Sequence, residues 1–140
     1  MNDIERLLAL EEIKSLKARY CRCIDARDWD SWRECFTTDV AFYLRSTPLV
    51  GVDALVDFGV RYLDRATSVH HVHSPEIDFT SDTGATGIWA LHDILIWPAP
   101  NMFGMTSMVG YGNYRERYRR VSGAWRIAEV KISRFHVESR

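Results

Sequence analysis

The sequence lacks a dominant charge: eighteen Lys and Arg residues face nineteen Asp and Glu over 140 positions, a formal net charge of −1. A nucleic-acid grip, or attachment to an anionic membrane surface, calls for a concentrated basic field, so neither is expected of this chain. The partner expected is small and largely uncharged. Cysteine is scarce and odd in number. Cys21, Cys23 and Cys35 fall within fifteen residues without the CxxC spacing of a zinc site, which reads as small core residues. No long apolar run occurs either, since the longest, around Ile94 to Trp97, is far short of the roughly 20 residues a spanning helix needs. Met1 to Arg6 leads straight into a charge-bearing amphipathic segment without the apolar stretch of a signal peptide, so a reducing cytoplasm is the expected compartment. Also missing are a G-x-S-x-G elbow, a P-loop and a G-x-G-x-x-G fingerprint. Acyl-enzyme hydrolysis and nucleotide-cofactor chemistry lose their sequence support, and no cofactor is expected.

What is present is a hydrophobic content of 46% and an aromatic content of 12%, with no repeat, linker or low-complexity tract. One domain over residues 1–140 is expected, and a chain of this length buries roughly two-thirds of its unfolded surface without metal or disulfide. From Asp3 to Ile24 the residues Ile4, Leu7, Leu8, Ile13, Leu16, Tyr20 and Ile24 recur at three- and four-residue steps, which predicts a long helix capped by Asn2 or Asp3. Asp28 caps a short second helix over Trp29 to Phe36, ended by Thr37-Thr38-Asp39, and Val40 to Leu44 follows as a strand. A third helix is expected between Gly51 and Arg65. The second half turns to β-branched and aromatic runs, Val69 to Thr80, Ala85 to Trp97, Met105 to Val121 and Ala124 to Val137, with hairpin turns at 81–84 and 122–123. Helices first and an antiparallel meander second make an α+β domain. Ala85 to Trp97 is apolar on both alternations, so both its faces are expected to be buried, one by the helices and the other by a curled sheet around a cavity or by a partner subunit.

Two polar features stand against this apolar background. Asp25 ends the long helix, one turn after Tyr20 and Cys21. A carboxylate beside an apolar face needs a partner, because burying an unpaired charge costs several kcal/mol; the alternative is a solvated residue at a helix C-terminus, where the macrodipole disfavours it. The second feature is Val69-His70-His71-Val72-His73 at the opening of a strand. Alternation sends His70 to one face and His71 and His73 to the other, so one strand cannot gather three imidazoles on a metal, although His71 and His73 could share one with a distant carboxylate. Surface or hydrogen-bonded core histidines are the plain reading. His92 and His136 stand alone, His92 in the two-sided apolar strand. A carboxylate that holds an imidazole in one tautomer makes it a competent general base near neutral pH, and Asp25 with a strand histidine would be such a pair.

The run Tyr20-x4-Asp25-x2-Asp28-Trp29-x6-Phe36-x2-Asp39, with Gly51 opening a helix, Thr67-x2-His70-His71 and Gly123-x-Trp125-Arg126-Ile127, resembles the SnoaL-like branch of the nuclear-transport-factor-2-like superfamily over nearly the whole chain. That branch includes scytalone dehydratase and hexachlorocyclohexane dehydrochlorinase. The resemblance implies a cone-shaped barrel in which a curved, mostly antiparallel sheet wraps three N-terminal helices around an apolar pocket. It implies an Asp–His dyad, with Asp25 at the Asp position and His70 at the His position, His71 being the substitute if the strand bulges. Tyr20 and Tyr43 lie near the places of the dehydratase tyrosines, and Phe42 near a pocket aromatic of the dehydrochlorinase. Where the dehydrochlorinase has a helix lysine this chain has Tyr20, and its arginine near the last strand falls about Val130 to Lys131, so the halide chemistry does not carry over.

The activity expected on these grounds is a cofactor-independent lyase or isomerase acting on a small apolar cyclic substrate. His70 removes a carbon-bound proton, Asp25 orients it, and Tyr20, Tyr43 or His92 polarises a carbonyl or protonates a leaving group. Phe42, Phe58, Trp89, His92 and Met105 are expected to line the pocket. The alternative is a non-catalytic ligand-binding protein or the small subunit of a ring-hydroxylating dioxygenase. The apolar outer alternation, with Val109 and Tyr111 among its residues, predicts a two-fold homodimer through the convex face of the sheet.

Overall fold

In the computed structural model, which describes residues 1–140, the chain forms three helices and one six-stranded sheet. Helix α1 (Asp3–Ala26) starts with a reciprocal capping box: the Asn2 side chain accepts the Glu5 N–H at 2.9 Å, and the Asn2 N–H donates to the Glu5 carboxylate at 2.7 Å. Its buried stripe runs through Ala9, Ile13, Leu16, Tyr20 and Ile24. The apolar periodicity begins earlier than the burial, however: Ile4, Leu7 and Leu8 are 70%, 62% and 60% exposed. Helix α2 (Trp29–Arg33) is capped by Asp28, and helix α3 (Val52–Tyr62) begins at Gly51, whose φ of +92° suits a residue without Cβ.

The strands are β1 (Phe36–Tyr43), β2 (Leu49–Val50), β3 (Thr67–Ser81), β4 (Gly84–Ile96), β5 (Ser107–Val121) and β6 (Ala124–Ser139). Thr37, Thr38 and Asp39, expected to end a helix, are therefore strand residues. Their order across the sheet is β2-β1-β6-β5-β4-β3; β1 lies parallel to β6 and every other pair is antiparallel. The curved sheet is not closed, since β2 and β3 are its two edges. Ser122 and Gly123, both with positive φ, make the tight β5–β6 turn.

One alternation of each long strand points to the helices. On β4 these are Trp89, Leu91, Leu95 and the adjoining Trp97, all buried. The other alternation is not buried as expected: Ile88 and Ile94 are half-buried, while Ala90 and Ile96 are exposed. Three helices cover one face of the sheet, and its outer face keeps Ile96, Tyr111 and Phe135 in contact with solvent. All three cysteines are buried and free. No helix is long and apolar enough to cross a membrane.

Candidate active site

Three parts of the fold converge on one cavity of about 540 Å³, in which sixteen of the 21 lining residues are hydrophobic. Helix α3 supplies Leu55, Phe58 and Tyr62, and the loop before β5 supplies Phe103 and Met105. That loop is pinned by Asn101, whose side-chain oxygen accepts the N–H groups of Phe103 at 2.9 Å and Met105 at 3.0 Å. The polar wall is built from Tyr20 and Tyr114, His70, and the pair Asp93 and Arg134.

His70 lies on the inner alternation of β3 and is buried. Its ring Nδ1 sits 2.7 Å from Asp25 Oδ1, its backbone N–H donates to Asp25 Oδ2 at 2.8 Å, and the Ser68 hydroxyl donates to Asp25 Oδ1 at 2.8 Å. Burial of the half-buried Asp25 works to raise its pKa, but the hydrogen bonds from His70 and Ser68 and the electrostatic attraction of His70 outweigh burial and hold the carboxyl below its ordinary value. An ionised carboxylate only accepts, so Nδ1 is a protonated ring nitrogen and, in the neutral ring, Nε2 is the nitrogen that carries the lone pair.

Asp93 is the residue directly opposite His70 on β4. Alone it would compete for the imidazolium, but it is bound by Arg134 in a fork of two hydrogen bonds, Nη1 to Oδ1 at 2.6 Å and Nη2 to Oδ2 at 2.8 Å. Burial acts to lower the Arg134 pKa, and its bonds to Asp93 more than reverse this, so the guanidinium stays charged. At the far end of the wall, burial drives the Tyr20 and Tyr114 phenols well above their ordinary pKa, so both remain proton donors. Beneath them the Lys17 ammonium lies 3.8 Å from the Tyr20 ring centroid and 3.5 Å from that of Tyr114, and its counter-ion is Glu116, at 2.5 Å.

Of the residues singled out from sequence, Tyr20, Phe42, Phe58, His70 and Met105 line the cavity, and Asp25 joins it through His70. Four others sit elsewhere. His71 is exposed, because regular alternation at this point of β3 turns it to the outer face. His92 is also on the outer alternation, where it stacks on Tyr111 with centroids 4.6 Å apart. Trp89 is inward but belongs to the core: its indole N–H donates to the Tyr118 hydroxyl at 2.7 Å, and that hydroxyl donates to Glu116 at 2.5 Å. Tyr43 alternates away from its inward neighbour Phe42 and lies under Lys131, whose Nζ is 5.0 Å from the ring centroid. Arg134, Asp93 and Tyr114 were not among the sequence candidates. The available signal was Gly110 on β5, paired with Asp93, where the missing Cβ leaves room for a long side chain to lie across the strand.

Several solved structures share this frame. A variant of Rv3472, a protein of unknown function from Mycobacterium tuberculosis, superposes with a TM-score of 0.81 at 26% identity, over 96% of this chain and 76% of that one. A hexachlorocyclohexane dehydrochlorinase, LinA type 2, gives 0.86 at 15% identity, over 99% and 93%. A scytalone-dehydratase-like protein from Novosphingobium aromaticivorans gives 0.83 at 19% identity, over 100% and 92%. The family model of the SnoaL-like domain matches residues 5–131, which takes in all three helices, five strands and the start of the sixth, so the chain belongs to the SnoaL-like domain family.

Proposed function

We propose that this protein is a cofactor-independent lyase or isomerase for a small, apolar, cyclic substrate. The observation that carries the reading is the 2.7 Å contact of His70 Nδ1 with Asp25 Oδ1, at a histidine whose ring borders a largely apolar cavity. His70 Nε2 takes a proton from a substrate carbon, and Asp25 offsets the charge of the resulting imidazolium. Electrons released by the broken C–H bond move toward an electron-withdrawing group of the substrate, which Arg134 or the Tyr20 and Tyr114 phenols stabilise. In an elimination the leaving group departs from the adjacent carbon and a phenol protonates it; in an isomerisation the imidazolium returns its proton to a different carbon. The apolar lining strengthens these charge interactions by excluding water. The dehydratase- and dehydrochlorinase-type relatives support this reaction class, and a cytoplasmic location is part of the same reading.

The test is a panel of small cyclic ketones, alcohols and halides incubated in D2O, followed by NMR for deuterium uptake or elimination. Turnover by the isolated chain, reduced about 10²- to 10⁴-fold in His70→Ala and Asp25→Asn, is the expected result. Absence of exchange with every probe that binds would overturn it in favour of a binding protein.

The exposed apolar residues of the outer sheet face motivate a second element of the proposal, a homodimer formed through that face. The same face would equally suit a small subunit of a dioxygenase assembly. Co-purification with a large iron–sulfur subunit would favour that assembly, whereas turnover by the isolated chain would exclude it.

A further inference from the structure

Asp25 receives more than the histidine. We infer that Arg27 and Ser68 are positioning residues that form, with Asp25 and His70, one hydrogen-bond chain of fixed direction ending at the cavity. The inference rests on the reaction proposed above and adds to it the parts that hold its base.

Donor and acceptor chemistry sets the direction. Arg27 Nη1 lies 2.8 Å from Ser68 Oγ, and a guanidinium only donates, so the Ser68 oxygen is the acceptor there. The single Ser68 proton is then left for Asp25 Oδ1, which as a carboxylate only accepts. With Ser68 and the His70 backbone N–H both donating into it, the Asp25 carboxylate cannot turn, and the His70 ring has one hydrogen bond it can make, from Nδ1–H. Arg27 is itself held by two backbone acceptors, Ile24 O at 2.6 Å and Ala66 O at 2.5 Å. These join the last turn of α1 to the entrance of β3, the two elements that carry the carboxylate and the imidazole.

The backbone gives an independent sign. Arg27 is the C-cap of α1 and has φ 60° and ψ 25°, a left-handed conformation in which glycine is the inexpensive residue. Its backbone N–H bonds Cys23 O and Ile24 O and the Asp28 N–H bonds Cys23 O as well, so both of these last-turn carbonyls have backbone partners without an arginine side chain. The side chain's role is in the three contacts it makes with Ile24, Ala66 and Ser68. Cys21, one turn earlier on α1, is the other titratable neighbour of the carboxylate; burial pushes its thiol up to about 11, so it is neutral and does not compete.

Two substitutions separate this role from stability. Ser68→Ala removes the link, and Arg27→Gly removes the side chain while relieving the left-handed backbone. Both are expected to fold, by circular dichroism and amide dispersion. Asp25 and His70 are then followed by NMR, through the carboxyl carbon during a pH titration and the ring nitrogens at neutral pH. In both variants the Asp25 midpoint should rise, and the His70 ring should shift from pure Nδ1–H toward a mixture of tautomers, with Arg27→Lys restoring part of the effect. Turnover of a substrate found in the panel above should fall about tenfold in kcat with KM little changed. Folded variants that keep both the Asp25 midpoint and the tautomer of the unaltered protein would overturn the chain. The reaction itself fails separately: NMR changes without any turnover would keep the chain and remove the lyase, whereas turnover that needs Asp25 and His70 but ignores both variants would do the opposite.

Discussion

Asp93 and Arg134 meet across a strand to which neither belongs. Asp93 is on β4 and Arg134 on β6, and their two-pronged ion pair passes over Gly110 of the intervening β5. A Cβ at Gly110 would sit inside the Arg134 guanidinium and 2.6 Å from Asp93 Oδ1. A Cβ at Gly112 would overlap the backbone carbonyl of Ser133 instead.

The two glycines should therefore fail differently. Gly110→Ala displaces the flexible end of an arginine, so the protein folds but leaves Asp93, with a side chain 3% exposed, short of its partner. Breaking a buried pair in this way costs about 3–5 kcal/mol. Gly112→Ala meets backbone that cannot move without reshaping the β5–β6 pairing, and should give the larger loss or no soluble protein. Thermal unfolding of the two variants checks the order; a milder Gly112→Ala would refute it.

Asp25 predicts a pH signature. Its folded pKa is depressed, so its stabilising contribution is complete above the ordinary carboxylate value of about 4 and disappears as pH falls through the lower folded value. Asp25→Asn loses charge-assisted hydrogen bonds and should cost about 1.5–3 kcal/mol at pH 7. Urea melts across the acid range should show the gap between variant and parent closing as pH drops. A gap independent of pH would refute the assignment.

Lys17 and Glu116 form a pair with both side chains 0% exposed. Lys17→Met strands a buried carboxylate and should destabilise by about 3–5 kcal/mol, whereas Lys17→Met with Glu116→Gln removes the charge and should recover much of that loss. Tyr118 can still donate to a glutamine oxygen, which favours the recovery. Equal melting temperatures for the single and double variants would contradict it.

Assembly is tested on two surfaces. Light scattering is expected to return twice the chain mass, and Tyr111→Arg or Phe135→Arg on the outer sheet face should return one. Leu7→Arg, in the exposed apolar start of α1, should leave the dimer intact. Dissociation by the helix variant alone would move the interface to α1.

Where the sequence was legible, one local rule decided the outcome. Alternation put His70 and His71 on opposite faces, the family resemblance pointed to His70 as the inward one, and the inward set of Trp89, Leu91, Leu95 and Trp97 is the set found buried. Residues read one position too far were lost to the same rule: Tyr43 and His92 are each neighbours of inward residues and so face out. The apolar start of α1 misled because periodicity marks a face without saying how far along the helix something covers it. Arg134 was hidden for a different reason. The β5–β6 register shifts between the pairs Arg117–Glu129 and Tyr118–Ile127, leaving Ala128 unpaired and moving the inner face from Trp125 and Ile127 to Val130, Ile132 and Arg134. A bulge of that kind depends on two strands at once and leaves no period in either.

The place of β6 between β1 and β5 also sets an order on the ribosome. The β3-β4-β5 meander contains only neighbours in sequence and can pair as soon as it emerges, whereas β1 has its long partner in β6, which follows every other strand of the sheet. Until β6 is delivered, β1 and β5 both present unpaired strand edges, and the wall of the cavity that holds Arg134 does not exist. A nascent chain thus carries its carboxylate and imidazole before the arginine arrives, and passes through its most association-prone stage before β6 emerges.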